Sequence, residues 1–161
     1  MRELKARLRF LQPCYGDVRS EQGTQVVFRM PRDSKGRVLF APTWWRAITL
    51  FAAKGLNLPQ AVVRNVSWDP VVSGPVSELR RYLREAPEPG RRKRYAIHEA
   101  FAIDAVIEIG LMAPRELSDA QLRDLLNTAG KYRGISPYKP GQFGNFEVID
   151  LSAVAEEQAE Q

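Results

Sequence analysis

The chain has 161 residues, 44% of them hydrophobic and 27% charged, with a net charge of +5, a profile that fits one globular domain and leaves two full domains crowded. No apolar run approaches the roughly 20 residues of a membrane helix, and the start Met1-Arg-Glu-Leu-Lys5 lacks the apolar core of a signal peptide, so a cytoplasmic protein with no membrane partner is expected. Cys14 is the only cysteine and His98 the only histidine, which excludes a disulfide framework and a Cys/His zinc cage within one chain.

Leu4, Ala6, Leu8 and Phe10 alternate with Lys5, Arg7 and Arg9, a period of two that predicts a first strand with one buried and one basic face. Pro13-Cys-Tyr-Gly16 ends it. After a polar stretch, Gln25 to Met30 alternates again, and the turn Asp33-Ser-Lys-Gly36 followed by Val38-Leu-Phe40 predicts an inserted hairpin. Pro42-Thr43 opens a helix over about 43–54, in which Trp44 or Trp45, Ile48, Phe51 and Ala52 form the apolar stripe and Gly55 the stop. Two adjacent indoles cannot both face the core of one helix.

The valines of Ala61 to Trp68 predict a second strand, stopped at Asp69-Pro70. Val71 to Gly90 fits strand, short helix or loop, and Arg94 to Phe101 opens a further strand. Ala105, Ile107, Ile109 and Leu111 alternate up to Pro114 and predict the third main strand. Ser118 with Gln121 forms a capping-box pattern ahead of Leu122, Leu125, Leu126 and Ala129, so a second helix runs from there to Gly130. Phe146, Val148 and Asp150 make a last strand.

With the hairpin and the open middle set aside, the order is βαββαβ. That is an α+β, ferredoxin-like arrangement whose antiparallel sheet carries two helices on one face. The domain is expected to span 1–151, with 152–161 an acidic, frayed tail. On the open face Lys5, Arg7 and Arg9 are expected beside Asp104 and Glu108 as cross-strand charge pairs, with no paired aromatics for base stacking.

The tail removes three negative charges, leaving +8 on the remainder, and an anionic partner is the natural inference. Residues 80–94 concentrate Arg80, Arg81, Arg84, Arg91, Arg92, Lys93 and Arg94 around the breaker Pro87-Glu-Pro-Gly90, flanked by Tyr82 and Tyr95. Such a run is either a solvated surface or a phosphate-binding loop with stacking partners.

The most distinctive segment is Gly130 to Phe146, with four glycines, two prolines, three cations and four aromatics in 17 residues. Gly130, Gly134, Gly141 and Gly144 permit positive φ and let amides approach an anion. Lys131, Arg133 and Lys139 add charge, and Tyr132, Tyr138 and Phe143 offer stacking faces. The spacing matches neither a P-loop nor a dinucleotide fingerprint, so no nucleotide cofactor, and no cofactor of any kind, is implied. The same residues also suit a packing role, with Gly130 as a helix cap and the aromatics covering the end of the sheet.

A glycine-rich loop following the last helix of a ferredoxin-like unit resembles the RAMP superfamily, the RRM-like backbone and processing subunits of CRISPR effector complexes. The resemblance implies that the loop contacts the backbone of guide RNA, with Lys131 and Arg133 matching phosphate contacts by position. The chain is shorter than most such proteins and lacks room for a large thumb-like insertion. Ala129 to Val148 is also similar to small uncharacterised phage and prophage proteins, a likeness that implies no activity.

Metal-independent RNA cleavage needs a general base, a role that members of the superfamily often give to histidine, and His98 is the sole candidate. It lies in a strand-like segment, where a bond to the backbone explains it equally. Asp69, Glu99, Asp104 and Glu108 read as ion-pair partners before metal ligands, and Cys14 as packing.

Three functions are therefore expected in turn. The first is a non-catalytic binder of single-stranded RNA or DNA that uses Arg91, Arg92, Lys93, Arg94 and the glycine-rich residues. The second is a phage or mobile-element protein that self-associates or docks a host protein. The third is a small endoribonuclease built on His98.

Overall fold

A computed structural model of the chain describes residues 1–23, 25–82, 95–139 and 143–154. In chain order its first elements are β1 (Arg2–Phe10), β2 (Cys14–Tyr15), β3 (Val18–Gln22), β4 (Gln25–Arg29), β5 (Val38–Leu39), α1 (Pro42–Gly55) and α2 (Gln60–Val63). There follow β6 (Ser67–Trp68), β7 (Val71–Val72), β8 (Ser77–Tyr82), β9 (Tyr95–Phe101), β10 (Val106–Ala113), α3 (Asp119–Tyr132) and β11 (Phe146–Ala153).

The alternation in β1 works as its period requires. Leu4, Ala6, Leu8 and Phe10 are fully buried, while the cations between them point to the other face. Antiparallel pairing sets Leu4 opposite Leu111, Ala6 opposite Ile109 and Leu8 opposite Ile107, so the apolar residues of β10 lie on the same face. β11 flanks β1 on its other side and β6 flanks β10, giving the antiparallel order β11-β1-β10-β6.

Trp45, Ala52 and Ala53 of α1 and Leu122, Leu125, Leu126 and Ala129 of α3 join that face in one hydrophobic core. Each leucine so buried contributes roughly 1.5–3 kcal/mol. The result is the ferredoxin-like split β-α-β arrangement read from the sequence. α3 begins where its capping box places it. The Gln121 N–H donates to Ser118 Oγ at 3.1 Å, and the Ser118 N–H donates to Gln121 Oε1 at 3.0 Å.

Two insertions, between β1 and α1 and between β6 and β10, together build a second sheet. Its order is β2-β9-β4-β3, with β8 antiparallel to β9 and β4 parallel to it. The hairpin in this sheet differs from the expected one. β4 pairs with β3, through a turn at Gly23 with φ +64°, whereas β5 pairs with β7 and the Asp33–Gly36 turn closes only the Arg32–Val38 bridge. β3 was unreadable because both its faces are polar and no alternation marks a buried side.

The expected strand over Ala61–Trp68 is also corrected. Pro59 starts the short helix α2, and only Ser67 and Trp68 pair with β10, where Trp68 stacks on Trp45 at 5.5 Å between ring centroids. β11 continues to Ala153, opposite Leu4. Among the described residues no helix is long and apolar enough to cross a membrane.

Candidate nucleic-acid interface

The glycine-rich segment joins α3 to β11, and its path is fixed by close backbone approaches. α3 runs past Gly130 to Tyr132, so Gly130 is not its cap; its glycine is needed because it packs so tightly on the backbone of Phe146 that a Cβ would collide with it. The Asn145 side-chain amide donates to the carbonyls of Gly130 and Lys131, both at 3.0 Å, and so closes the helix end. Gly144 has φ +76°, and its N–H donates to Pro13 O at 2.8 Å while its own carbonyl accepts from the Ile135 N–H at 3.0 Å.

The Gly134 N–H donates to Ala129 O at 2.9 Å and the Tyr138 N–H to Tyr15 O at 3.1 Å. The amides of Gly134, Ile135, Tyr138 and Gly144 are therefore spent on the protein itself. What the segment turns outward is side chains: Lys131, Tyr132, Arg133 and Lys139 are all exposed.

Those cations sit on aromatic rings. The Arg133 guanidinium lies 4.0 Å from the ring centre of Phe51, Lys139 Nζ 5.9 Å from that of Trp44, and Lys131 Nζ 5.2 Å from that of Tyr132. Trp44 and Phe51 belong to the outer side of α1. Of the two adjacent tryptophans, Trp45 is fully buried and Trp44 packs half-exposed on Phe40.

On the second sheet Arg80 lies 4.4 Å over Tyr95, and Arg81 lies 4.4 Å over Tyr138. The last pair joins the two cationic segments, since Arg81 opens the arginine-rich run and Tyr138 lies in the glycine-rich one. Arg91, Arg92, Lys93, Arg94 and Gly141 lie outside the described residues. Phe143, with Tyr138, packs against Tyr15, its ring centroid 4.9 Å away.

His98 is central to this junction and has no exposed surface. Its Nδ1 is 2.6 Å from the Gly16 carbonyl, and its Nε2 accepts from Arg81 Nε at 3.2 Å. A carbonyl can only accept, so the proton sits on Nδ1 and the ring is neutral. Phe28 stacks on one side at 4.8 Å, with Tyr15 and Tyr138 close by.

Burial pushes the imidazole pKa down, the bond to Gly16 opposes this, Arg81 lowers it further and Asp17 raises it. The unfolded chain thus takes up a proton that the folded chain refuses. This contribution to stability is complete above about pH 6.5, the ordinary histidine value, and is lost as the pH falls below it. The melting temperature is expected to drop between pH 7 and pH 5.5, and His98→Asn, which keeps a donor for Gly16, should flatten that drop. A slope unchanged by the substitution would exclude His98 as its source.

Several of the other polar groups are paired. Glu99, nearly buried, accepts from the Met30 N–H at 3.0 Å and from Arg32 at 2.9 Å. On the open face of the first sheet Lys5 pairs with Glu108 at 3.1 Å and Arg9 with Glu147. Cys14 is fully buried and its thiol pKa is raised by desolvation. Among the described residues no three His, Cys, Asp or Glu side chains converge on a metal-sized site.

Sequence reasoning placed Arg81 in the arginine-rich run but missed its stacking on Tyr138, and it missed Phe51 and Trp44 as members of this surface. The available signal was the helical spacing of Trp44 and Phe51, seven residues apart on one side of α1. It was read as core, and the cations that cover them come from a distant part of the chain.

No protein-family model and no curated protein matches the chain. Among solved structures its fold is similar to a chain in the cryo-EM structure of the Type III-B Cmr-beta complex bound to cognate target RNA. The TM-score is 0.57 and the identity 12%, with 95% of this chain covered. The match covers 60% of that chain's own length. At this identity the likeness is one of architecture, and it agrees with the fold that the RAMP resemblance implies.

Proposed function

We propose that this chain is a non-catalytic binder of single-stranded RNA or DNA. It holds the phosphate backbone with Lys131, Arg133 and Lys139 of the glycine-rich segment and with the arginine-rich run that Arg80 and Arg81 begin and Arg91–Arg94 end. The observation that carries this reading is the stacking of Arg81 on Tyr138, which brings the two cationic segments to one junction. A guanidinium carried over a ring, its Nε bonded to His98, keeps its terminal N–H donors for phosphate and loses little freedom on binding. The architecture shared with a chain from an RNA-bound complex supports the same class of ligand.

Catalysis by His98 is the weaker reading, because a general base needs an acceptor that can reach substrate and Nε2 is already engaged by Arg81. Docking of a protein partner is the remaining alternative. The amides of the described glycines are turned inward, so the grip is assigned to side chains rather than to an amide cradle.

Lys131→Ala combined with Arg133→Ala should weaken binding of a labelled single strand roughly tenfold or more, the equivalent of one or two charge-assisted hydrogen bonds. The melting temperature should barely move, since exposed substitutions usually stay within about 0.5 kcal/mol. An equal loss of stability would instead assign these cations to packing. Neutralising Arg91, Arg92, Lys93 and Arg94 together should likewise weaken binding, and unchanged affinity would remove that run from the interface.

A further inference from the structure

We propose that the groove between the last turns of α1 and α3 is a stacking subsite for one base of a bound single strand, an inference that rests on the nucleic-acid reading above. The groove encloses about 540 Å³ and is lined by Phe51, Lys54, Gly55, Leu56, Thr128 and Tyr132. That volume falls within the roughly 300–1,000 Å³ of small-ligand sites. It has the mixed character that a nucleotide needs. Phe51 and Tyr132 leave 39% and 55% of their surfaces exposed. Leu56 supplies an apolar floor and Thr128 a hydroxyl.

Its charge is of one sign. Lys54 lines the groove, Lys131 lies against Tyr132 and Arg133 covers Phe51 at 4.0 Å, while no carboxylate is among the lining residues. Lys54 and Lys131, in the last turns of their helices, also complement the helix dipoles. That role extends to Arg133 at the C-cap of α3, but it does not account for the two exposed rings. An apolar peptide would find the rings but would gain nothing from three cations. A single strand uses both: its base stacks on Tyr132 or on the Arg133 guanidinium plane, and its flanking phosphates meet the cations. The groove adjoins the glycine-rich segment through Tyr132 and Arg133, so a strand held at Lys131 and Arg133 reaches it without a gap.

The test compares a labelled single-stranded oligonucleotide with an abasic strand of equal length, which keeps the phosphates and lacks the bases. Wild-type protein should prefer the strand with bases, by roughly fivefold or more if one base is stacked. Tyr132→Leu and Phe51→Leu, which stay apolar, should each reduce the ratio of the two affinities, whatever the loss of the ring beside Lys131 or Arg133 does to the abasic affinity itself. A strand carrying 5-iodouracil should photo-cross-link to the peptide that contains Tyr132, a readout obtained on the unaltered chain. Wild-type binding with the preference unchanged in both variants, and cross-links only elsewhere, would overturn the subsite while leaving the wider reading intact. Absence of binding to either strand would overturn both. An apolar peptide whose binding is lost in Tyr132→Leu and Phe51→Leu, with the strand preference unchanged in both, would overturn the subsite and assign the groove to a protein partner.

Discussion

Gly144→Ala is expected to destabilise the fold by about 3 kcal/mol, the sum of a left-handed backbone penalty and an overpacking cost. Gly144 has φ +76°, and a Cβ there would run into the carbonyl of Ile135. The collision is with backbone, so no side-chain rotation relieves it. Three hydrogen bonds are at stake: Gly144 to Pro13, Ile135 to Gly144, and the neighbouring Leu11 to Asn145 at 2.7 Å. Gly36→Ala provides the control, since Gly36 has φ +79° but no atom within 4 Å of a built Cβ. It should cost only about 1–2 kcal/mol, the conformational part alone. Denaturant titration of both variants separates the two contributions. Equal losses would mean that the segment yields around Gly144 and does not fix the end of β11.

Arg81→Ala is expected to have the largest effect on binding of any single substitution among the described residues. Arg81 donates to His98 Nε2 at 3.2 Å and stacks on Tyr138 at 4.4 Å, so it links the second sheet to the glycine-rich segment. Its removal takes away a cation and releases Tyr138, and affinity for a single strand should fall roughly tenfold or more. It also leaves Nε2 buried without a donor, at a cost of about 1–3 kcal/mol. Arg81→Lys separates the two effects: the charge remains, but the flat stack and the directed Nε donor do not. Lysine is expected to recover part of the affinity and little of the stability. Full recovery of both would show that the guanidinium plane is unimportant.

The central strands of the first sheet and the two long helices were legible because each has an apolar period that a local window captures. β1 and β10 alternate over eight or nine residues, and α3 announces its start through Ser118 and Gln121. The second sheet was not. Its hairpin strand β3 is polar on both faces, β8 carries Glu78, Arg80 and Arg81 in six residues, and the pairing of β4 with β9 is parallel and joins residues about seventy positions apart. Valine content misled at Gln60–Val63, where Pro59 and a short turn decided for helix.

In the candidate site the cations of the glycine-rich segment were visible as residue types, and their exposure follows from their charge. Two features needed coordinates. The amides of Gly144 and Gly134 are consumed by Pro13 and Ala129 acceptors, and the aromatic partners of Arg133 and Lys139 lie in α1, far away in sequence. His98 could be placed on a strand from sequence, but its two hydrogen-bond partners, Gly16 and Arg81, belong to different strands' neighbourhoods and become adjacent only when the second sheet forms.

The most direct measurement is the affinity of the purified full chain for a labelled single strand across a salt series. Several phosphates neutralised at the Arg81–Tyr138 junction predict tight binding in dilute buffer, and a log–log slope of roughly −2 or steeper at about −0.7 per phosphate. No detectable binding at the lowest salt, or an affinity indifferent to salt, would contradict a phosphate-gripping interface and leave these surfaces to a protein partner.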